Sequence, residues 1–265
     1  MTGIAALTAL VLLAWWAGAG FLVPLLVVLV VVAVVCPEGP RPRVGAGASA
    51  DARARALRTP LVRIATLLGI STRAGRLADR YQAGAVGERY VAGLLAPLTA
   101  EGWIVLPDRK LPRGEANVDL LAFSPQGGVY NVDAKNWSAE FELYVLDGRL
   151  FHGDRDVTGR LRGLDYETRT VARLLNARVI SLAVMVGTLP PGSRLRVNGI
   201  RIIPAGDVCD VLRALDREYL PHQRQAALVD TAARLLPPHT GRNPGWSRRW
   251  RQLSEALRFS GRGRP

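Results

Sequence analysis

The apolar positions divide the chain into regions of very different character. From Ile4 to Cys36 the sequence runs without one charged side chain. A single membrane span needs about 20 residues, so this stretch is long for one untilted helix and short for two. Gly18, Gly20 and Pro24 interrupt it near the middle, which allows a kinked long helix or a tight helical hairpin. A cleaved signal peptide fits poorly, because no basic segment precedes the apolar core. A lipoprotein signal fails as well, because Val35 rather than a small residue precedes Cys36. The expectation is a transmembrane anchor over residues 1–36.

Residues 37–59 change abruptly to Pro, Gly, Ala and Arg. They read as a mobile juxtamembrane linker whose arginines sit near anionic headgroups. Residues 60–82 show a weak helical pattern through Leu61, Ile64, Leu67 and Leu68. A clearer helix is predicted from Gly84, with Val86, Tyr90, Val91, Leu94, Leu95 and Leu98 at helical spacing up to a break near Pro97. Their mean direction places Glu88 at the margin of the apolar face, so its carboxylate points along the edge of the core.

Strand patterns follow at 103–106, 117–123 and 128–135, then a polar hairpin around Asp147-Gly148. A helix over 162–176 turns Leu164, Val171, Leu174 and Leu175 inward. Buried strands are expected at 179–186 and 199–203, then helices from Gly206-Asp207 to near Leu215 and over 222–236. This order indicates an α/β or α+β sheet flanked by helices. The domain reading is an anchor at 1–36, a basic linker and lead-in helix at 37–81, a globular domain at 82–236 and a basic tail at 237–265.

Charge sharpens the picture. The chain has 265 residues and a formal net charge of +13, which favours a polyanionic partner, nucleic acid or anionic lipid. Arg41, Arg43, Arg53, Arg55, Arg58 and Arg63 follow the apolar stretch, opposed only by Glu38 and Asp51. The positive-inside rule puts this flank, and the remainder of the chain, in the cytoplasm. Two cysteines and three scattered histidines exclude a disulfide framework and a zinc finger. The Ala/Arg/Gly/Val bias is that of a GC-rich bacterial genome. Among 35 cationic side chains only Lys110 and Lys135 are lysines, so the placement of a lysine carries information. Lys110 is expected on a loop.

The strands at 117–123 and 128–135 are joined by Ser124-Pro125-Gln126-Gly127-Gly128. A hairpin centred on Gln126 sets Asp119 opposite Asp133, with Cβ atoms about 4.5–5.5 Å apart. Like charges there destabilise a hairpin unless a cation lies between them, and two carboxylates in an apolar hairpin point to a divalent metal. Period-2 geometry adds Lys135 to the face of Asp133.

Gly87-Glu88 on a helix, Asn117-Val118-Asp119-Leu120 on a strand and Gly128-Val129-Tyr130-Asn131-Val132-Asp133-Ala134-Lys135-Asn136 on the next together resemble the nuclease-related domain (NERD) of the PD-(D/E)XK nuclease superfamily, over roughly residues 82–200. The segment after Asn136 departs from the family pattern, with Trp137-Ser138-Ala139 where a glycine often follows. The resemblance implies a restriction-endonuclease-like mixed sheet with helices on both sides and a catalytic edge of Glu88, Asp119, Asp133 and Lys135. It implies Mg²⁺ or Mn²⁺ on Asp119 and Asp133, with the Ala134 carbonyl as a third protein ligand and Glu88 in a supporting or second-metal role. Lys135 then orients the attacking water or stabilises charge on the phosphorane, and a lysine adjusts its pKa where an arginine does not.

The function expected is a membrane-anchored, metal-dependent nuclease of the bacterial cell membrane, acting on phosphodiester bonds at the cytoplasmic face, with DNA favoured over RNA. The rival is a non-catalytic nucleic-acid-binding or membrane-scaffold protein that keeps the fold. Near the C-terminus, Trp246, Trp250, Leu253 and Leu257 form one helical stripe among arginines. This tail is expected on anionic lipid, with nucleic acid, bound by phosphate contact and aromatic stacking, as the alternative.

Overall fold

The computed structural model describes residues 27, 45–218 and 224–239. The expected anchor, apart from Val27, and the tail from residue 240 lie outside the described residues, as does His222. Among the described residues no helix is long and apolar enough to cross a membrane.

The chain forms two compact units. The first, described over residues 50–83, is helical. It contains most of α1 (Ala48–Leu57), all of α2 (Pro60–Leu67) and the beginning of α3 (Arg73–Leu94). Residues 48–57 were expected within a mobile linker and are helical instead. Alanine has the highest helix propensity, and ASADARARAL alternates it with arginine. Inside this unit the Arg58 guanidinium bonds Asp79 at 2.8 Å and Gln82 at 2.7 Å, and Arg53 lies over the Tyr81 ring. Thr59 caps α2 through Val62 N and Pro60 opens it. None of the α2 residues is buried.

The second unit, described over residues 45–49 and from Gly84 onward, is the α/β body. Its six-stranded mixed sheet has the order β1-β2-β3-β7-β9-β8. The strands are β1 (Ile104–Lys110), β2 (Asn117–Phe123), β3 (Val129–Asn136), β7 (Val179–Val186), β8 (Leu195–Val197) and β9 (Ile200–Pro204). β3, β7 and β9 run parallel, and the other three pairings are antiparallel. β4 (Leu143–Leu146), β5 (Arg149–His152) and β6 (Arg155–Asp156) form a separate small sheet. Asp147 and Gly148 both take positive φ at its turn, the geometry a two-residue hairpin needs.

Helices cover both faces of the main sheet. On one side Val91, Leu95 and Leu98 from α3 and its continuation α4 (Ala96–Ala100), with Val208, Leu212 and Leu215 of α6 (Val208–Arg217), pack on Leu120, Tyr130, Val132, Leu182 and Val184. On the other, Val171 and Leu175 of α5 (Arg162–Leu175) and Leu228 and Val229 of α7 (Gln225–Leu235) meet Leu121, Phe123 and Val129. A third cluster joins the small sheet to Ala183, Met185 and Ile202. The mixed, helix-flanked α/β architecture expected from the sequence is the one observed.

Three local expectations are corrected. The helix expected from Gly84 begins at Arg73. Val86 and Tyr90, expected on its buried face, are 50% and 51% exposed. Lys110 ends strand β1, exposed, rather than lying on a loop.

Candidate active site

The β2–β3 register pairs Leu120 with Val132, Leu121 with Asn131, Ala122 with Tyr130 and Phe123 with Val129, the pairing centred on Gln126. It stops one step short of Asp119 and Asp133. On the opposite side of β2 the pairing passes from Pro107↔Leu120 to Arg109↔Val118 and skips Asp119 and Asp108. Asp108 is left-handed there, with φ 49°. The β2–β3 ladder therefore ends just before Asp119, while the β1–β2 ladder skips that one position and resumes. β2 remains bound to β1 below this point, while β3 continues along β7, with Asp133 beside Ala183 and Lys135 beside Met185. Two strands that diverge leave room between them for side chains, and Asp119 takes it. Its Oδ2 accepts from the Ala134 amide at 3.2 Å, replacing a ladder bond.

Lys135 Nζ lies 2.6 Å from Asp133 Oδ2 as an ion pair, as alternation along β3 requires. Asp133 is 6% exposed, and so is Glu88. Glu88 enters from α3 as expected for a residue at the margin of the apolar face. Its Oε2 accepts from the Gly47 amide at 2.9 Å. Asp108 stands behind it, buried, accepting from Ser49 N at 2.8 Å and from Asn117 Nδ2 at 3.0 Å. Asn117 thus spends its amide on protein partners, Ser49 Oγ included.

The structure adds a residue that the sequence reading missed. Glu167 of α5 faces the same cluster, held by the side chain of Asn131. Asn131 also donates to Thr168 Oγ1 at 3.1 Å. Asn131, Asp133 and Lys135 share one face of β3 by alternation, so one strand presents all three toward α5.

Four carboxyl groups and one ammonium share this space, and the proton affinities of Glu88, Glu167, Asp119 and Lys135 record it. Burial, then the charge of Asp108, pushes Glu88 up to about 7, with the Gly47 amide holding it back and Asp133 adding to the rise. Burial and the Asp133 charge push Glu167 up to about 8. Asp119 keeps some accessible surface, yet its carboxyl is densely enclosed. Burial, with Glu88 and Asp133 nearby, raises it well above the usual carboxylate range. Burial works against the Lys135 ammonium, but the charges of Asp133 and Asp119 outweigh it and raise its pKa. One lysine does not neutralise the negative potential of the cluster.

Among the described residues no three Asp, Glu, His or Cys side chains converge closely enough to enclose a metal ion. The donors that gather are carboxylates with a carbonyl-bearing strand between them, a set suited to a hard cation and unsuited to a soft one. Arg169 and Arg173 sit on the exposed side of α5, with Arg169 paired to Asp165 at 2.9 Å.

A helix-flanked mixed sheet whose β2–β3 ladder ends just before Asp119 and Asp133 is consistent with a nuclease-like α/β domain. Residues 83–185 match the family model of the nuclease-related domain, NERD. That segment spans Glu88, Asp119, Asp133, Lys135 and Glu167. Comparison with curated proteins and with solved structures finds no match.

Proposed function

We propose that the chain is a membrane-anchored, metal-dependent nuclease that hydrolyses phosphodiester bonds of DNA on the cytoplasmic face of a bacterial cell membrane. The observation that carries the reading is the opened β2–β3 pair, which gathers Asp119, Asp133 and Lys135 with Glu88 and Glu167 around them.

Mg²⁺ or Mn²⁺ would be held by Asp119 and Asp133, with the Ala134 carbonyl and Glu88 in support. When bound, such an ion polarises a phosphoryl oxygen and lowers the pKa of a coordinated water. The chain's own groups do the rest. Lys135, kept protonated by its acidic neighbours, supplies positive charge where the phosphorane develops negative charge. Its compact ammonium fits between Asp133 and the substrate better than a guanidinium fork. At alkaline pH, where Glu88 and Glu167 ionise, the carboxylates repel a phosphodiester unless a cation neutralises them, so the metal should matter at the binding stage there as well.

Membrane attachment rests on the uncharged run Ile4–Cys36 and on the arginines that follow it. The tail carrying Trp246 and Trp250 is assigned to the lipid surface on the same sequence grounds.

The test uses the full-length protein in detergent micelles, with plasmid and single-stranded DNA, under Mg²⁺, Mn²⁺ or EDTA. Cleavage that appears with metal, vanishes with EDTA and is lost in Asp133→Asn supports the reading. DNA binding without cleavage under every metal would leave the rival, a non-catalytic nucleic-acid-binding protein. Protease accessibility of the α/β body in spheroplasts against inverted vesicles reads its sidedness.

A further inference from the structure

A groove of about 420 Å³ lies between α3 and the ends of β3, β7 and β9. Val86 and Tyr90 of α3 form one wall, Leu189 and Pro191 beyond β7 line it, and Asn136 and Gly206 close the ends of β3 and β9. Three features tie it to the carboxylate cluster. Gly87 and Asn136, both in its lining, are the chain neighbours of Glu88 and Lys135. A Cβ on Gly87 would stand 3.1 Å from Asn136 Cβ, so the missing side chain is what lets α3 lie this close to the end of β3. The groove also opens at the carboxyl ends of the parallel strands β3, β7 and β9, where open α/β sheets take their ligands.

The lining is mostly apolar, and the groove explains why α3 departs from its expected pattern. Val91, at the same helix's buried face, is fully covered, whereas the Val86 and Tyr90 side chains stand half exposed along the groove. The acid at the rim is already neutralised. Asp207 accepts from Gly192 N and pairs with Arg194, both at 2.7 Å, and those contacts hold its carboxyl below the usual range. An aromatic wall, aliphatic partners and a neutralised rim suit a flat apolar ring carried on a polyanion.

We propose that this groove receives one unstacked nucleobase of the strand being cut, stacked on Tyr90, and that single-stranded or locally unpaired DNA is therefore the preferred substrate. The inference rests on the nuclease reading, because it is the phosphodiester in the cluster that brings a base to the groove. A base held in a duplex is stacked on its neighbours and cannot reach Tyr90 without being extruded.

The experiment measures binding of the full-length protein to three fluorescein-labelled 12-mers in Ca²⁺. These are single-stranded dT12, its duplex with dA12, and an abasic 12-mer that has the backbone alone. Cleavage of the same three in Mg²⁺ is followed in parallel. The expected result is that dT12 binds best, that Tyr90→Ala weakens dT12 about tenfold, and that it leaves the abasic 12-mer unchanged. Tyr90→Phe should keep the preference, since the ring face remains. Equal affinity of wild type and Tyr90→Ala for dT12 overturns the proposal, as does equal weakening on the abasic 12-mer. Mg²⁺-dependent cleavage in those cases leaves the nuclease reading standing. If wild type cuts none of the three, yet Tyr90→Ala still loses dT12 selectively, the groove assignment holds and the nuclease reading falls. Tyr90 is half exposed, so its variants should fold, and circular dichroism of each checks this.

Discussion

The backbone amide of Gly47 donates to Glu88 Oε2 at 2.9 Å, across 41 positions of chain. The residue that makes this bond has φ +76°, and a Cβ on it would stand 2.6 Å from the Ala85 carbonyl oxygen and 2.9 Å from Ala85 Cα. Both atoms are backbone and cannot yield cheaply. A residue from the middle of the segment expected to be a loose linker thus bonds a buried carboxylate of the candidate site.

Gly47→Ala should therefore act on the site as well as on stability. The strained φ alone costs about 1 kcal/mol or more, and the contact with Ala85 adds to it. Thermal unfolding should show the loss, and Mg²⁺-dependent cleavage should fall by more than the folded fraction explains. Activity per folded molecule equal to wild type would detach Gly47 from the site.

Asp119→Asn and Asp133→Asn should each abolish metal-dependent cleavage, with different effects on the metal-free protein. At Asp119 an amide oxygen still accepts from Ala134 N while one buried charge is removed, so melting temperature should hold level or rise at pH 8. At Asp133 the ion pair to Lys135 is lost as well, so its variant should gain less. A clear loss of metal-free stability in both would favour structural ion pairs over a metal site.

Lys135→Arg keeps the charge and changes its shape. Turnover should drop strongly, on the order of a hundredfold, while DNA affinity changes little. Near-normal turnover would remove Lys135 from the chemistry.

Glu88 at about 7, Glu167 at about 8 and the raised Asp119 all bind protons more tightly in the folded chain than in the unfolded one. Their protonation therefore stabilises the metal-free fold fully below the ordinary carboxylate pKa, and that stabilisation is lost as pH rises through about 7 to 8. Asp207, held low by its bond to Arg194, and Asp156, held low by Thr158, work the other way and lose their contribution as pH falls through the carboxylate range. Metal-free stability should be highest near the ordinary carboxylate range, about pH 4, and decline by a few kcal/mol toward pH 8.5. Mg²⁺ should restore it at high pH. Calorimetry across pH 5 to 9, with and without Mg²⁺, reads both effects, and a flat profile would contradict the charge crowding.

Glu167→Gln removes the acid that α5 contributes. The expected outcome is higher metal-free stability at pH 8.5 together with reduced cleavage. Full activity would leave Glu167 as a structural neighbour only.

Local patterning determined much of this protein. The chain length between Asp119 and Asp133, with a glycine-rich turn at its centre, set the β2–β3 register. Asp147-Gly148 set the small hairpin, and alternation put Lys135 beside Asp133. Period 3.6 placed Leu164, Val171 and Leu175 on the buried side of α5. Each of these depends on residues within one or two elements, where backbone geometry fixes the outcome. The end of the β2–β3 ladder before Asp119, the arrival of Glu167 from α5, the grip of Gly47 on Glu88 and the exposure of Val86 and Tyr90 belong to the tertiary structure. Periodicity states which side of a helix is apolar but not what stands across from it. A groove leaves an apolar residue exposed, and a neighbouring strand leaves an acid buried. The proton affinities depend most strongly on that difference, because the desolvation and charges that shift a carboxyl come from groups far away in the chain and close only in the fold.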